Sequence, residues 1–185
     1  MAGTDTDQAG TDEPGRPDPP LSGDEAATLL GFLDYQRATL AWKCRGLTDD
    51  QLRVTVASSV ISLGGLLRHL ARVEDGWFSD VVAEQPELEP WVSMPWAAEW
   101  SDPDTAASTG DELRALWEQR VAASRRVVTE ALGAGELALG TTHPAWGGQG
   151  HPSLRWVLVH MIEEYARHNG HADLLRESID GETGE

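Results

Sequence analysis

Large apolar residues return every three or four positions along four separate stretches of this chain, and no stretch alternates strictly between apolar and polar side chains. A period near 3.6 selects helices, and a helix with one apolar stripe must bury it against another element. The chain is therefore expected to be all-α. Leu29, Leu30, Leu33 and Leu40 mark a first helix over about 23–45. The second opens at Ser62 and carries Leu63, Leu66, Leu67, Leu70, Val73, Trp77, Val81 and Val82 to about residue 85. Leu113, Leu116, Val121, Val127, Val128 and Leu132 define a third that stops at Gly133, and Leu154, Leu158, Met161, Tyr165, Ala172 and Leu175 a fourth from Ser153 to about 178. Ser22 with Glu25, Thr48 with Gln51, and Thr109 with Glu112 each have the spacing of a capping box, in which two side chains satisfy the free N–H groups of a helix start.

Connections of about 25 and about 20 residues separate helices two, three and four, longer than the roughly 2 to 8 usual in bundles. They hold half of the eight tryptophans: Trp91, Trp96 and Trp100 in the first, Trp146 in the second. The first, Trp-rich connector either covers the bundle end or forms a lid over a substrate pocket. Residues 1–21 are rich in Pro, Gly and Asp and nearly without large apolar groups, which predicts a disordered acidic tail. One bundle domain over 22–180 and a flexible end at 181–185 complete the expected organisation.

With 31 acidic and 14 basic residues, the net charge of −17 repels phosphate backbones and anionic headgroups, so nucleic acid is not an expected partner. No apolar run approaches the ~18 residues of a membrane span, and no signal peptide is evident. Cys44 is the only cysteine, which excludes an intramolecular disulfide and fits a reducing, cytoplasmic location. It lies near the end of helix one with no histidine close in sequence, a poor setting for a nucleophile.

Residues 157–176 read VLVHMIEEYARHNGHADLLR. At about 100° per residue, His160, Glu164, His168 and His171 share one flank beside the apolar stripe. Imidazole nitrogen and carboxylate oxygen suit Zn, Ni, Fe or Mn, and residues four apart can hold two corners of one coordination shell. A third ligand must come from another element. His69, in the middle of helix two, is the natural candidate, although a lone histidine on an apolar face is more often a hydrogen-bonded core residue. Gly170, unfavourable within a helix, is expected to permit close packing or close ligand approach. Arg37, Arg45 and Arg53 are expected in solvent, and Arg176 can be read as an ordinary surface charge.

The segments ATLAWKCRGLTDDQL, SLGGLLRHLARVEDGWF and SLRWVLVHMIEEYARHNGHADLLRESIDG resemble the DinB superfamily, most closely its actinobacterial mini-circle protein-like branch. The resemblance implies a DinB-like four-helix bundle with long connecting loops. It also implies a divalent metal bound by a helix-two histidine and two helix-four residues spaced by four, which fall here on His69, Glu164 and His168. A glutamate in the helix-four place is similar to mycothiol-dependent maleylpyruvate isomerase relatives. His171 and Asn169 stand where the family pattern carries Gln and Arg, so a ligand set using His160 or His171 remains open.

The implied function is a metal-dependent enzyme of low-molecular-weight thiol chemistry, a thiol transferase or thiol-dependent isomerase using mycothiol against an electrophile. His171 and His160 are the candidate proton carriers. The alternatives are a non-catalytic metal- or ligand-binding, stress-associated bundle, and a bundle without metal in which the same residues form a hydrogen-bond network. Homodimerisation is left open.

Overall fold

The computed structural model describes residues 15–96, 100, 103–133 and 135–183. Among the described residues six α-helices appear in the order α1 (Glu25–Cys44), α2 (Asp49–Leu52), α3 (Leu63–Glu74), α4 (Pro103–Ala107), α5 (Gly110–Leu132) and α6 (Leu154–Asp180). No named strand occurs among the described residues, only isolated bridges. The four long helices form the bundle, with α1 along α6 and α3 along α5 as the principal pairings and α3 also against α6. No helix among the described residues is long and apolar enough to cross a membrane.

Two of the three expected capping boxes form. Thr48 and Gln51 open the single turn of α2, and Thr109 and Glu112 open α5, with backbone and side-chain bonds in both directions. The third does not. Asp24, rather than Ser22, caps α1, because its Oδ1 accepts from Ala27 N at 2.7 Å. A carboxylate there also opposes the positive end of the helix dipole. Ser62 and Ser153 cap α3 and α6, and Gly181, at φ 79°, ends α6 in the left-handed region.

The second helix does not keep α geometry to its end. From Asp75 to Val82 it winds as a π-helix, a wider turn that recurs at functional sites. It places Gly76, Trp77 and Asp80 toward the end of the bundle that holds the cavity described below.

Leu33, Leu40, Leu63, Leu66, Leu67, Leu70, Leu154, Leu158 and Met161 are fully buried, in agreement with the apolar stripes. A charged network runs through this core. Glu74 is 0 % exposed and receives Arg37 Nε and NH2, each at 2.8 Å, and the Tyr165 hydroxyl at 2.7 Å. Trp117 Nε1 donates to Tyr165 Oη at 2.9 Å, so α1, α3, α5 and α6 each supply one member. Arg37 is therefore not in solvent as its position in the sequence suggested; the bidentate carboxylate compensates its desolvation. Arg176 is buried too. Its NH1 donates at 3.0 Å to Lys43 O and Arg45 O, satisfying carbonyls at the end of α1.

Residues 1–14 of the expected tail lie outside the described residues. Beyond them, the tail reading does not hold as far as residue 21. Arg16 is buried, donates to Thr39 Oγ1 at 3.2 Å and lies over the rings of Tyr35 and Trp42. The prolines at 19 and 20 pack against Gly31, where an added methyl would meet Pro20 Cδ at 2.4 Å. The apolar partners of this segment come from α1, so its own composition gave no sign of docking.

Candidate functional site

His69 is the seventh of the twelve residues of α3, among the buried Leu66 and Leu70, and its ring meets Glu164 and His168 of α6. Its Nε2 is 3.0 Å from Glu164 Oε1. One turn further along α6, His168 Nε2 is 3.3 Å from the same oxygen. One ligand atom from each of His69, Glu164 and His168 lies within 4.8 Å of the others, with both imidazoles buried and the carboxylate half-buried. The hydrogen bonds from His168 and then His69 hold the Glu164 carboxyl well below the usual carboxylate range. Neutral imidazoles and an ionised carboxylate are the protonation states a divalent metal requires, and the donor set fits one.

The two other histidines of the α6 flank take different places. His171 Nδ1 faces His168 Nδ1 at 3.3 Å, on the ring edge away from Glu164, and so sets how His168 is turned. Burial, followed by the nearness of His168 and Arg167, lowers the pKa of His171. His160 instead lines a cavity of about 450 Å³ that also reaches His69 and Glu164. Its ring stacks on Trp156 at 5.1 Å and meets Trp77 edge-on at 4.9 Å. Of the two candidate proton carriers, only His160 is among the residues lining this space.

Both connectors contribute to the site. Trp100 packs against the His69 ring at 4.9 Å and lies 6.0 Å from His168, covering the cluster with apolar surface. Trp96 and Trp146 line the cavity. Trp91 does not; it is 1 % exposed, packed in the core beneath Arg68 and Arg72. Gly170 has no place in the site either. It is exposed, and a methyl added there would meet nothing within 4 Å, so the expectation of close approach is withdrawn. Asp80, Gly76 and Trp146 were not singled out in the sequence as site residues, because only the π-helical turn and the folded second connector bring them to the cavity.

Cys44 is fully buried, and burial pushes its thiol up to about 12. The chain thus offers no thiolate of its own near neutral pH.

Fold and site together define a class: an all-α bundle in which two histidines and a glutamate from facing helices converge beside an aromatic cavity that reaches His69 and Glu164. Comparison with known families narrows this further. The mycothiol-S-transferase family profile matches residues 28–181, and the chain belongs to that DinB-like, mycothiol-related family. No curated protein matches the chain.

Proposed function

We propose that the protein is a metal-dependent transferase that joins the sulfur of mycothiol to a small electrophile, with His69, Glu164 and His168 as the metal ligands. The observation that carries this reading is the convergence of the three ligand atoms within 4.8 Å beside an open cavity, in a chain of the mycothiol-S-transferase family. A divalent metal held there supplies a Lewis acid that favours the thiolate form of a thiol.

The residues of the chain do the rest. His160, at the cavity wall, accepts the thiol proton; the sulfur lone pair forms the new carbon–sulfur bond, and the displaced electron pair leaves with the leaving group. Where the electrophile is an activated double bond, that pair moves onto the substrate and His160 returns the proton. Trp100 keeps water from the cluster, and His171 holds the orientation of His168. With its only cysteine buried, the chain depends on a thiol from outside.

The test is transfer of mycothiol to 1-chloro-2,4-dinitrobenzene by zinc-, nickel-, iron- or manganese-loaded protein and by chelator-treated protein. The expected result is product formation that needs the metal and falls by at least about tenfold in His160→Ala, within the usual contribution of one proton carrier. Equal rates with and without metal would overturn the reading.

A further inference from the structure

The cavity beside the cluster has an unusual composition for a site in which sulfur and electrophile meet. Its described lining includes two carboxylates, Glu164 at the cluster and Asp80 at the rim, and no Lys or Arg, the Arg72 guanidinium lying behind it against the Trp96 ring at 3.9 Å. His69 and Asp80 are eleven residues apart on one continuous helical segment, roughly 15 Å along its axis. The space therefore has two chemically different ends. Between them stand aromatic walls from three elements: Trp77 from the π-helical turn, Trp96 from the first connector and Trp146 from the second.

Trp146 is held there by construction. Its backbone adopts a left-handed φ of 50°, followed by Gly147 at 65° and Gly148 at 84°, in a small hairpin closed by bonds between Ala145 and Gly150. A non-glycine residue in that region is strained, and such strain gathers at ligand sites. The Trp146 ring rests on Gly150, where an added Cβ would lie 2.1 Å from it. This seat puts the indole at 89° to Trp77, 6.0 Å between centroids, so that the two form a corner. Trp146 is 59 % exposed, an amount of indole surface that a ligand would cover, whereas the Trp96 ring already has the Arg72 guanidinium over it at 3.9 Å.

We infer that the electrophile received by this cavity is a cationic aromatic compound, with its ring in the indole corner, its ammonium group against Asp80 and its reacting carbon toward His69 and Glu164. Indole faces attract cations, and a carboxylate at the rim completes an ammonium site. Glu87 and Asp75 already face Arg72 at 3.4 Å and Arg120 at 3.5 Å and do not line the cavity, so the ammonium is assigned to Asp80. Anions meet the opposite field, which the chain's net charge of −17 reinforces. This inference rests on the cavity being the electrophile site of the proposed transferase.

The experiment compares 3-phenylpropylamine, 3-phenylpropanamide and 3-phenylpropanoate by calorimetry on the full-length protein, in low salt at neutral pH and with no thiol present. The amine is expected to bind at least about tenfold more tightly than the carboxylate, with the amide between them. Asp80→Asn should abolish the preference of amine over amide while leaving the amide affinity unchanged. Trp146→Ala should weaken both. A carboxylate that binds as tightly as the amine, an unaltered preference in Asp80→Asn, or no binding of the amine at millimolar concentration overturns the inference. Because no thiol takes part, these results are separate from the transfer assay: loss of transfer with the amine preference intact removes the proposed function alone.

Discussion

His69 Nε2 and Glu164 Oε1 are 3.0 Å apart although 95 positions separate them in the chain. The contact joins α3 to α6 at the floor of the cavity, and His168 approaches the same oxygen from one turn further on. A carboxylate shared by two imidazoles takes little to assemble in a bundle: each helix needs only its ordinary core register to bring its side chain to the cluster.

The buried network makes a strong demand on stability. Replacing Arg37 with Ala leaves Glu74 charged and fully buried, and should lower unfolding free energy by about 3–5 kcal/mol in urea melts. The double substitution Arg37→Met with Glu74→Leu should recover much of that loss, since neither charge is then left alone. A loss below about 1 kcal/mol for Arg37→Ala, the value of an exposed pair, would show that the network is solvated.

Cys44 should resist thiol reagents in the native protein at pH 8 and react at once in denaturant, as read by absorbance with a chromogenic disulfide. Its pKa, about 12 in the fold, lies above the ~8.5 of an unfolded cysteine. Between those values the unfolded chain has released the proton and the folded chain has kept it. The stabilising contribution is thus complete below pH ~8.5 and is lost as pH rises toward 12, by about 1.4 kcal/mol per unit. Cys44→Ala should flatten that alkaline decline in stability, whatever it does to packing at neutral pH. An unchanged slope would contradict the burial.

Two glycines should behave in opposite ways. Gly170→Ala places a methyl in open space on a helix and should stabilise by about 0.5–1 kcal/mol in thermal or urea melts. Gly150→Ala must displace the Trp146 ring, and should raise tryptophan fluorescence changes and weaken ligand binding at the cavity with little effect on the bundle. A neutral Gly150→Ala would mean that the indole has another seat.

What the sequence made legible was whatever is encoded within one or two helical turns. The Thr48–Gln51 and Thr109–Glu112 boxes, the Ser62 and Ser153 caps and the stripes of Leu66, Leu70, Leu158 and Met161 depend on residues three or four apart, and they appear where the spacing puts them. The pairing of Glu164 with His168 is local in the same sense. Arg37 could not be read this way, because its partner Glu74 is 37 positions distant and its burial belongs to the assembled bundle. Neither could the π-helical turn that carries Trp77 and Asp80; the hairpin that seats Trp146 is closed locally by Ala145 and Gly150, but the meeting of its indole with Trp77 joins distant parts of the chain. Ser22 lost the cap of α1 to Asp24, a competition between two adequate residues that spacing alone does not decide.

The most direct test of the proposed ligand set is elemental analysis of the full-length protein and five variants after metal loading and desalting, with circular dichroism on each. Wild type, His160→Ala and His171→Ala should retain about one divalent ion per chain, while His69→Ala, Glu164→Ala and His168→Ala should each lose most of it, because a three-ligand site cannot easily replace a missing donor. Helical signal should persist in all six, since Leu66, Leu70, Leu158 and Met161 are buried independently of the metal. Full metal occupancy in the three ligand variants, or a wild-type protein that retains no metal, would contradict the account.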